Sequence, residues 1–283
     1  MERKTLTQLI EEYKSDPLTE FRKINRFITK TDLASDYSCF DGISEGYLLC
    51  EQMSSIFPDL QECLCSWAAS LYDVEDSVCF SSLAAEKKEQ ILCDFLVYCE
   101  VLLTSLVFCV TTLLDFFRYK YGFTEAALQQ PIRIIKASLK SVGYTISVEP
   151  ETRLVEARKI DPVAEEVAEG SNPDIKQAIL SYLSSKPNDL QGKRTRLWAL
   201  IDAMAPTFSK YRNEKLVEKA REYSQLIRHP EKRKEKKFQW FFEDEKANLD
   251  TLFRLLLSAQ QYVVGSEIKD EFDKKTHSPS TPE

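Results

Sequence analysis

The chain reads as a mostly α protein: a helical N-terminal part and a C-terminal helical bundle, with one small β-hairpin at 144–159. Three observations predict this. Glycine and proline are scarce, seven and eleven in 283 residues, which argues against turn-rich all-β folds and glycine-lined nucleotide folds. Apolar residues recur at three and four along most of the chain, the period of helices with one buried face. The period shortens to two only between Tyr144 and Lys159. With 43% apolar and 11% aromatic residues the chain can bury a large core in one or two domains.

LTQLIEEYK, LTEFRKINRFITK and ISEGYLLCEQMSSIF each carry the helical apolar spacing. The longest apolar run, Leu92 to Phe117, approaches the length of a membrane span. It carries Asp94, Glu100 and Asp115, and its uncharged piece runs only from Val101 to Leu114, short of the ~20 residues a span needs. It reads as a buried central helix, with no membrane partner expected. Pro131 suits the first turn of a helix, PIRIIKASLKSVG, that Gly143 ends with a left-handed cap. YTISVEPETRLVEARKI then alternates around EPET as a hairpin.

Beyond it come a short helix, a Gly-Ser-Asn-Pro break and a helix from about Asp174, with the domain boundary near residue 170. KRTRLWALIDAMAPTFSKY and NEKLVEKAREYSQLIRH follow, and DEKANLDTLFRLLLSAQQYV closes the series. The last residues, 272–283, are polar with two prolines and read as a disordered tail. The expected parts are an acidic helical domain at 1–130, a helix and hairpin connector at 131–170, a helical bundle at 171–265 and the tail.

Charge is distributed unevenly. Residues 1–130 hold 11 Lys/Arg against 21 Asp/Glu, and residues 131–283 hold 27 against 24. Between 31 and 86 there are eleven acidic side chains and no Lys or Arg. Such a region is either a solvated acidic face or a surface for a basic partner, a trigger, or the chain's own basic cluster. The eight cysteines all precede residue 110. They form no CxxC pair and lie far from both histidines, so no metal or other cofactor is expected. In the absence of a signal peptide they read as reduced thiols of a cytoplasmic protein.

Signatures of P-loop, dinucleotide-binding, zincin and hydrolase-elbow sites are absent. What remains is IRHPE, Ile227 to Glu231, followed by the basic run KRKEKK. Leu216, Val217, Ala220, Tyr223, Leu226 and Ile227 form an apolar stripe, and Pro230 stops the helix so that His229 falls at its C-terminal end. Two readings follow. Arg228, His229 and the lysines form an ordinary basic cap favoured by the helix dipole. Alternatively, His229 exchanges a proton, as histidine side chains do near neutral pH, while Arg228 grips a phosphate. That pair would serve RNA cleavage, with Arg221, Lys232, Arg233, Lys234, Lys236 and Lys237 as phosphate-binding charge and Glu231 in support. Tyr223, Phe238, Trp240, Phe241 and Phe242 lie close by in sequence, either to stack unpaired bases or to fill a core.

In an ordered series, IKASLKSVGYTISVEPETRLVEARKI, DIKQAILSYLSS, KRTRLWALIDAM with Leu197 and Trp198, IRHPE and LDTLFRLLLSAQQYV resemble the C-terminal half of bacterial abortive-infection proteins of the AbiJ type. The resemblance covers about Ile135 to Val264. It implies a HEPN-like helical domain, and hence a cytoplasmic anti-phage effector, commonly dimeric, that binds RNA or cleaves it without metal. Arg228, His229 and Glu231 match the family's local motif, and Pro230 replaces its second histidine. The usual HEPN signature places four to six residues between arginine and histidine. Here Arg228 adjoins His229, and seven residues separate Arg221 from it. Whether the chain is an enzyme stays open at this point: the alternative is a non-catalytic interaction or regulatory module in which IRHPE caps a helix.

Overall fold

The structure, a computed structural model, describes residues 15–29, 71, 73–75, 78–121, 125–149 and 152–277. It is mostly helical, with eleven α-helices and one two-stranded antiparallel sheet among the described residues. The chain forms two compact units that divide between Ile160 and Asp161, not near residue 170. The reason is local: Asp161 caps a helix whose Ala164, Val167 and Ala168 are buried in the C-terminal core. The expected helices LTQLIEEYK and ISEGYLLCEQMSSIF lie outside the described residues, as does most of the acidic 31–86 stretch.

In the N-terminal unit, α1 (Pro17–Thr29) is followed by a 3-10 turn (Phe80–Ser82), α2 (Ala85–Thr112), α3 (Leu114–Tyr121) and α4 (Glu125–Ser141). Helix α2 is long and apolar enough to cross a membrane, and 56% of its most apolar window is buried inside the unit. Here it is the central helix, packed against α1, α4 and the hairpin. Each of its leucines Leu102, Leu103 and Leu106 is buried, worth about 1.5–3 kcal/mol apiece. Phe21 of α1 meets Tyr98 of α2 edge to face at 5.2 Å.

Helix α4 begins at Glu125, so Pro131 lies inside it and not in its first turn. The proline forfeits one backbone hydrogen bond there, which the apolar contacts of Ile132, Ile135 and Leu139 offset. The cap at Gly143 is as expected: its φ of 87° is in the left-handed region, and its N–H donates to the Lys140 carbonyl at 3.1 Å.

The hairpin of β1 (Tyr144–Val148) and β2 (Val155–Lys159) pairs Ile146 with Ala157 at its centre. Its ladder bonds run through 143/160 and 149/154, so the N–H groups of Val155 and Ala157 face away from β1. Helix α2 meets them: Thr104 Oγ1 accepts from Val155 at 3.0 Å and Glu100 Oε1 from Ala157 at 2.5 Å. Two helical side chains one turn apart thus stand in for a third strand and seal that edge. Arg153, with a φ of 58° in the turn, donates to the hydroxyls of Thr111 and Thr112 at the end of α2.

The C-terminal unit comprises α5 (Pro162–Glu169), α6 (Pro173–Leu183), α7 (Leu190–Ala203), α8 (Ala205–Lys210), α9 (Lys215–Arg228), two 3-10 segments (Pro230–Lys234 and Lys236–Phe238), α10 (Gln239–Glu243) and α11 (Glu245–His277). Asp161 and Asn172 cap α5 and α6 by accepting from the backbone three residues on, each with proline at the first helical position. Helices α6, α7, α9 and α11 enclose the core around Ile179, Leu197, Leu200, Val217 and Leu256. Helix α11 runs through residues 272–277, which the composition had assigned to the tail; 278–283 lie outside the described residues. Past Val264 it presents no buried residue up to Lys274. Its Glu, Lys and Asp residues sustain a solvated helix by propensity and side-chain pairing.

Two polar staples fix α7 to α11. The buried Lys193 ammonium holds the Asp250 carboxylate at 2.8 and 2.9 Å, and Tyr182 donates to the same carboxylate at 2.7 Å. Arg194 forms a two-pronged pair with Glu245. Burial first, and the Asp250 charge second, push the Tyr182 hydroxyl above its ordinary range.

Candidate functional site

The IRHPE segment sits where sequence places it, at the end of α9. Val217, Ala220, Leu226 and Ile227 turn inward, Arg228 is the last helical residue, and His229 caps the helix with its N–H donating to the Gln225 carbonyl at 2.9 Å. Pro230 then opens a 3-10 segment. The next turns follow from the backbone of Lys232, Glu235 and Phe238, whose N–H groups donate three residues back to the carbonyls of His229, Lys232 and Glu235.

Arg228 does not face solvent alone. Its guanidinium turns to α7, where Nη2 pairs with the Asp202 carboxylate and donates to the Ile201 carbonyl at 3.4 Å. The same carboxylate accepts from Trp198 Nε1 at 2.6 Å. Trp198 and Asp202, one turn apart on α7, form a socket for the arginine of α9, whose side chain is 28% exposed against 55% for Asp202.

His229 is engaged separately. Its Nδ1 lies 2.9 Å from Glu231 Oε1, both side chains being exposed. A hydrogen bond from its own backbone, and then the contact with His229, hold the Glu231 carboxyl below its ordinary range. Arg228 and His229, adjacent in sequence, therefore have different carboxylate partners and do not converge on one point. Arg221 is exposed on α9, two turns before Arg228. Lys234 and Lys236 are exposed, and Lys232 stands 5.8 Å from the ring centre of the buried Phe238, within cation–π range. Arg233 and Lys237 have backbones in the two 3-10 segments, and their side chains are outside the described residues.

The aromatic run splits by role. Phe238 and Phe241 are core residues, while Trp240 is 48% exposed. Tyr223, Trp240 and Phe241 with Asn248, Thr251, Leu252 and Leu255 line an apolar cleft of about 250 Å³ between α9, α10 and α11. Tyr223 and Trp240 meet edge to face at 6.0 Å. Asn248 Nδ2 donates to the carbonyls of Trp240 and Phe241, fastening α10 to α11 and fixing the cleft wall.

Sequence reasoning missed Asp202 and the staple of Lys193, Tyr182 and Asp250. The spacing of Trp198 and Asp202 shows that they can meet on one face, but nothing local points to α9. Cys93, Cys99 and Cys109 are buried free thiols, Cys79 is exposed, and Cys39, Cys50, Cys63 and Cys65 lie outside the described residues. Among the described residues no group of three or more His, Cys, Asp or Glu side chains is placed to hold a metal. Comparison with protein-family models, with curated proteins and with solved structures finds no match to this chain.

Proposed function

We propose that the C-terminal unit is a non-catalytic helical interaction or regulatory module, in which IRHPE caps α9 and clamps it to α7. The observation that carries this reading is the engagement of Arg228 by Asp202 and the Ile201 carbonyl. A phosphate would have to displace a carboxylate that Trp198 also holds, and the guanidinium would have to turn out of a half-buried socket. Electrostatic catalysis requires donors already aimed at the developing charge, and this arginine is aimed at the protein.

A second reading is favoured by the pair of His229 and Glu231. A carboxylate on Nδ1 orients the imidazole and leaves Nε2 to move a proton, beside the exposed Lys234 and Lys236. Together with the sequence resemblance, it supports an anti-phage effector of HEPN type, an RNA-binding protein or metal-independent endoribonuclease.

Induced expression of the wild type and of His229→Ala in bacteria, followed by growth and total-RNA integrity, separates the two. The interaction-module reading expects intact RNA and equal growth in both strains. RNA fragmentation that His229→Ala abolishes would overturn it in favour of the second reading.

A further inference from the structure

The cations of the C-terminal unit are used in two ways. Lys176, Lys193, Arg194, Lys210, Arg228 and Arg254 each hold a carboxylate. Lys219, Lys232, Lys234 and Lys236 have no ion pair among the described residues. They belong to the stretch 215–237, where nine Lys/Arg stand against four Glu, and Glu231 is already taken up by His229. These unpaired cations border the apolar cleft. Lys219 lies one turn before Tyr223 on the same face of α9. The two 3-10 segments that carry Lys232, Lys234 and Lys236 pack against α10, which carries Trp240. Arg221 is exposed too, but it lies about 200° around α9 from Tyr223 and belongs to another face.

The cleft suits an apolar side chain. Its volume of about 250 Å³ is below the roughly 300–1,000 Å³ of pockets that enclose a small molecule. Phe241, Leu252 and Leu255 line it, and donors of its polar lining are spent: Asn248 Nδ2 on two carbonyls, the Thr251 hydroxyl on the Ala247 carbonyl at 2.9 Å. An unpaired base needs partners for its edge and parallel faces to stack on. Tyr223 and Trp240 stand at 88° to each other, so they do not form such a slot.

We infer that the cleft and its cationic border are a docking site for an acidic polypeptide segment. One bulky apolar residue of that segment seats between α9, α10 and α11, and its flanking carboxylates meet Lys219 on one side and Lys232, Lys234 and Lys236 on the other. The anchor supplies affinity, and the unpaired cations select the sign of the partner and speed its encounter. The inference rests on the interaction-module reading and names the class of partner that module takes.

The probe is a set of fluorescein-labelled helical peptides of Glu, Gln and Ala with one central Phe, Leu or Trp, and a control with Ala at that position, read by anisotropy on the full chain at low and high salt. An anchored peptide should bind at least ~10-fold more tightly than the Ala control, and salt should weaken it. Thr251→Trp, which fills the mouth of the cleft, and Lys219→Glu, which reverses a border charge, should each weaken it at least ~10-fold. Both positions are exposed, circular dichroism checks the fold, and either folded variant carries the test. No peptide binding, a control that binds as tightly, or binding that a folded Thr251→Trp leaves unchanged would overturn the inference. Labelled oligouridine is the second arm: binding that Thr251→Trp abolishes would assign the cleft to nucleic acid and overturn it as well. The module reading itself falls only with RNA cleavage that His229→Ala abolishes, so the two failures are distinct.

Discussion

Removing Arg228 should loosen the C-terminal unit by an amount that depends on Asp202. Charges about 4 Å apart near a surface attract by about 4 kcal/mol at an effective dielectric of about 20. Asp202 is 55% exposed, and exposed pairs measured by double-mutant cycles give roughly 0.2–1 kcal/mol. A half-buried guanidinium with one charged and one carbonyl partner should lie at the upper end, so the coupling is about 1 kcal/mol. Arg228→Ala also strips the carbonyl partner and the packed aliphatic stem, for a total of about 2 kcal/mol. Asp202→Ala should cost about 1 kcal/mol. The assay is urea unfolding of a cycle of Arg228→Ala, Asp202→Ala and the double variant in a Trp67→Phe background. Tryptophan fluorescence then arises only from Trp198 and Trp240, both in the C-terminal unit. A coupling below about 0.3 kcal/mol would refute the clamp.

Other outcomes follow from the same packing. The raised Tyr182 hydroxyl makes the folded state hold its proton more tightly than the unfolded state, so this contribution to stability is present at neutral pH and fades as pH rises above about 10. Tyr182→Phe should flatten that alkaline decline in urea midpoints, and an unchanged decline would contradict the staple. Burial pushes the Cys109 thiol up to about 12, while hydrogen bonds with Ser81 hold the exposed Cys79 below its ordinary value. Maleimide labelling of native protein with peptide mapping should therefore mark Cys79 and spare Cys109 until denaturant is added. Gly143→Ala should cost about 1 kcal/mol from its left-handed φ alone, since nothing lies near the added methyl, and thermal unfolding would show it. Glu100→Ala should cost about 2 kcal/mol by leaving the buried Ala157 N–H without its acceptor.

How much of this was legible in the sequence depended on the range of each interaction. The mostly α fold and the hairpin were legible because periods of 3.6 and 2 are local, and Gly143 was legible because a positive φ selects its residue. Pro131 was misplaced because the preference for the first turn is a tendency that tertiary burial of Ile132 and Ile135 overrides. The end of α11 was misplaced because polar composition does not separate a solvated helix from a tail. At the candidate site, the position of His229 after the last turn of α9 followed from Pro230. The partner of Arg228 did not: Asp202 is 26 residues away in the chain, and which face of α7 meets α9 is decided by packing of the whole unit. The edge seal by Glu100 and Thr104 was hidden for the same reason, since a central helix carrying a glutamate gives no sign that a strand N–H lies against it.

The most direct test of the central claim, that Arg228 clamps α9 to α7 and that neither it nor His229 acts on RNA, is incubation of the purified full chain with end-labelled single-stranded RNA in excess chelator, comparing wild type with His229→Ala and Arg228→Ala. The account predicts that all three leave the RNA intact and that only Arg228→Ala lowers the unfolding midpoint. Chelator-resistant cleavage by the wild type that is lost in His229→Ala would contradict it.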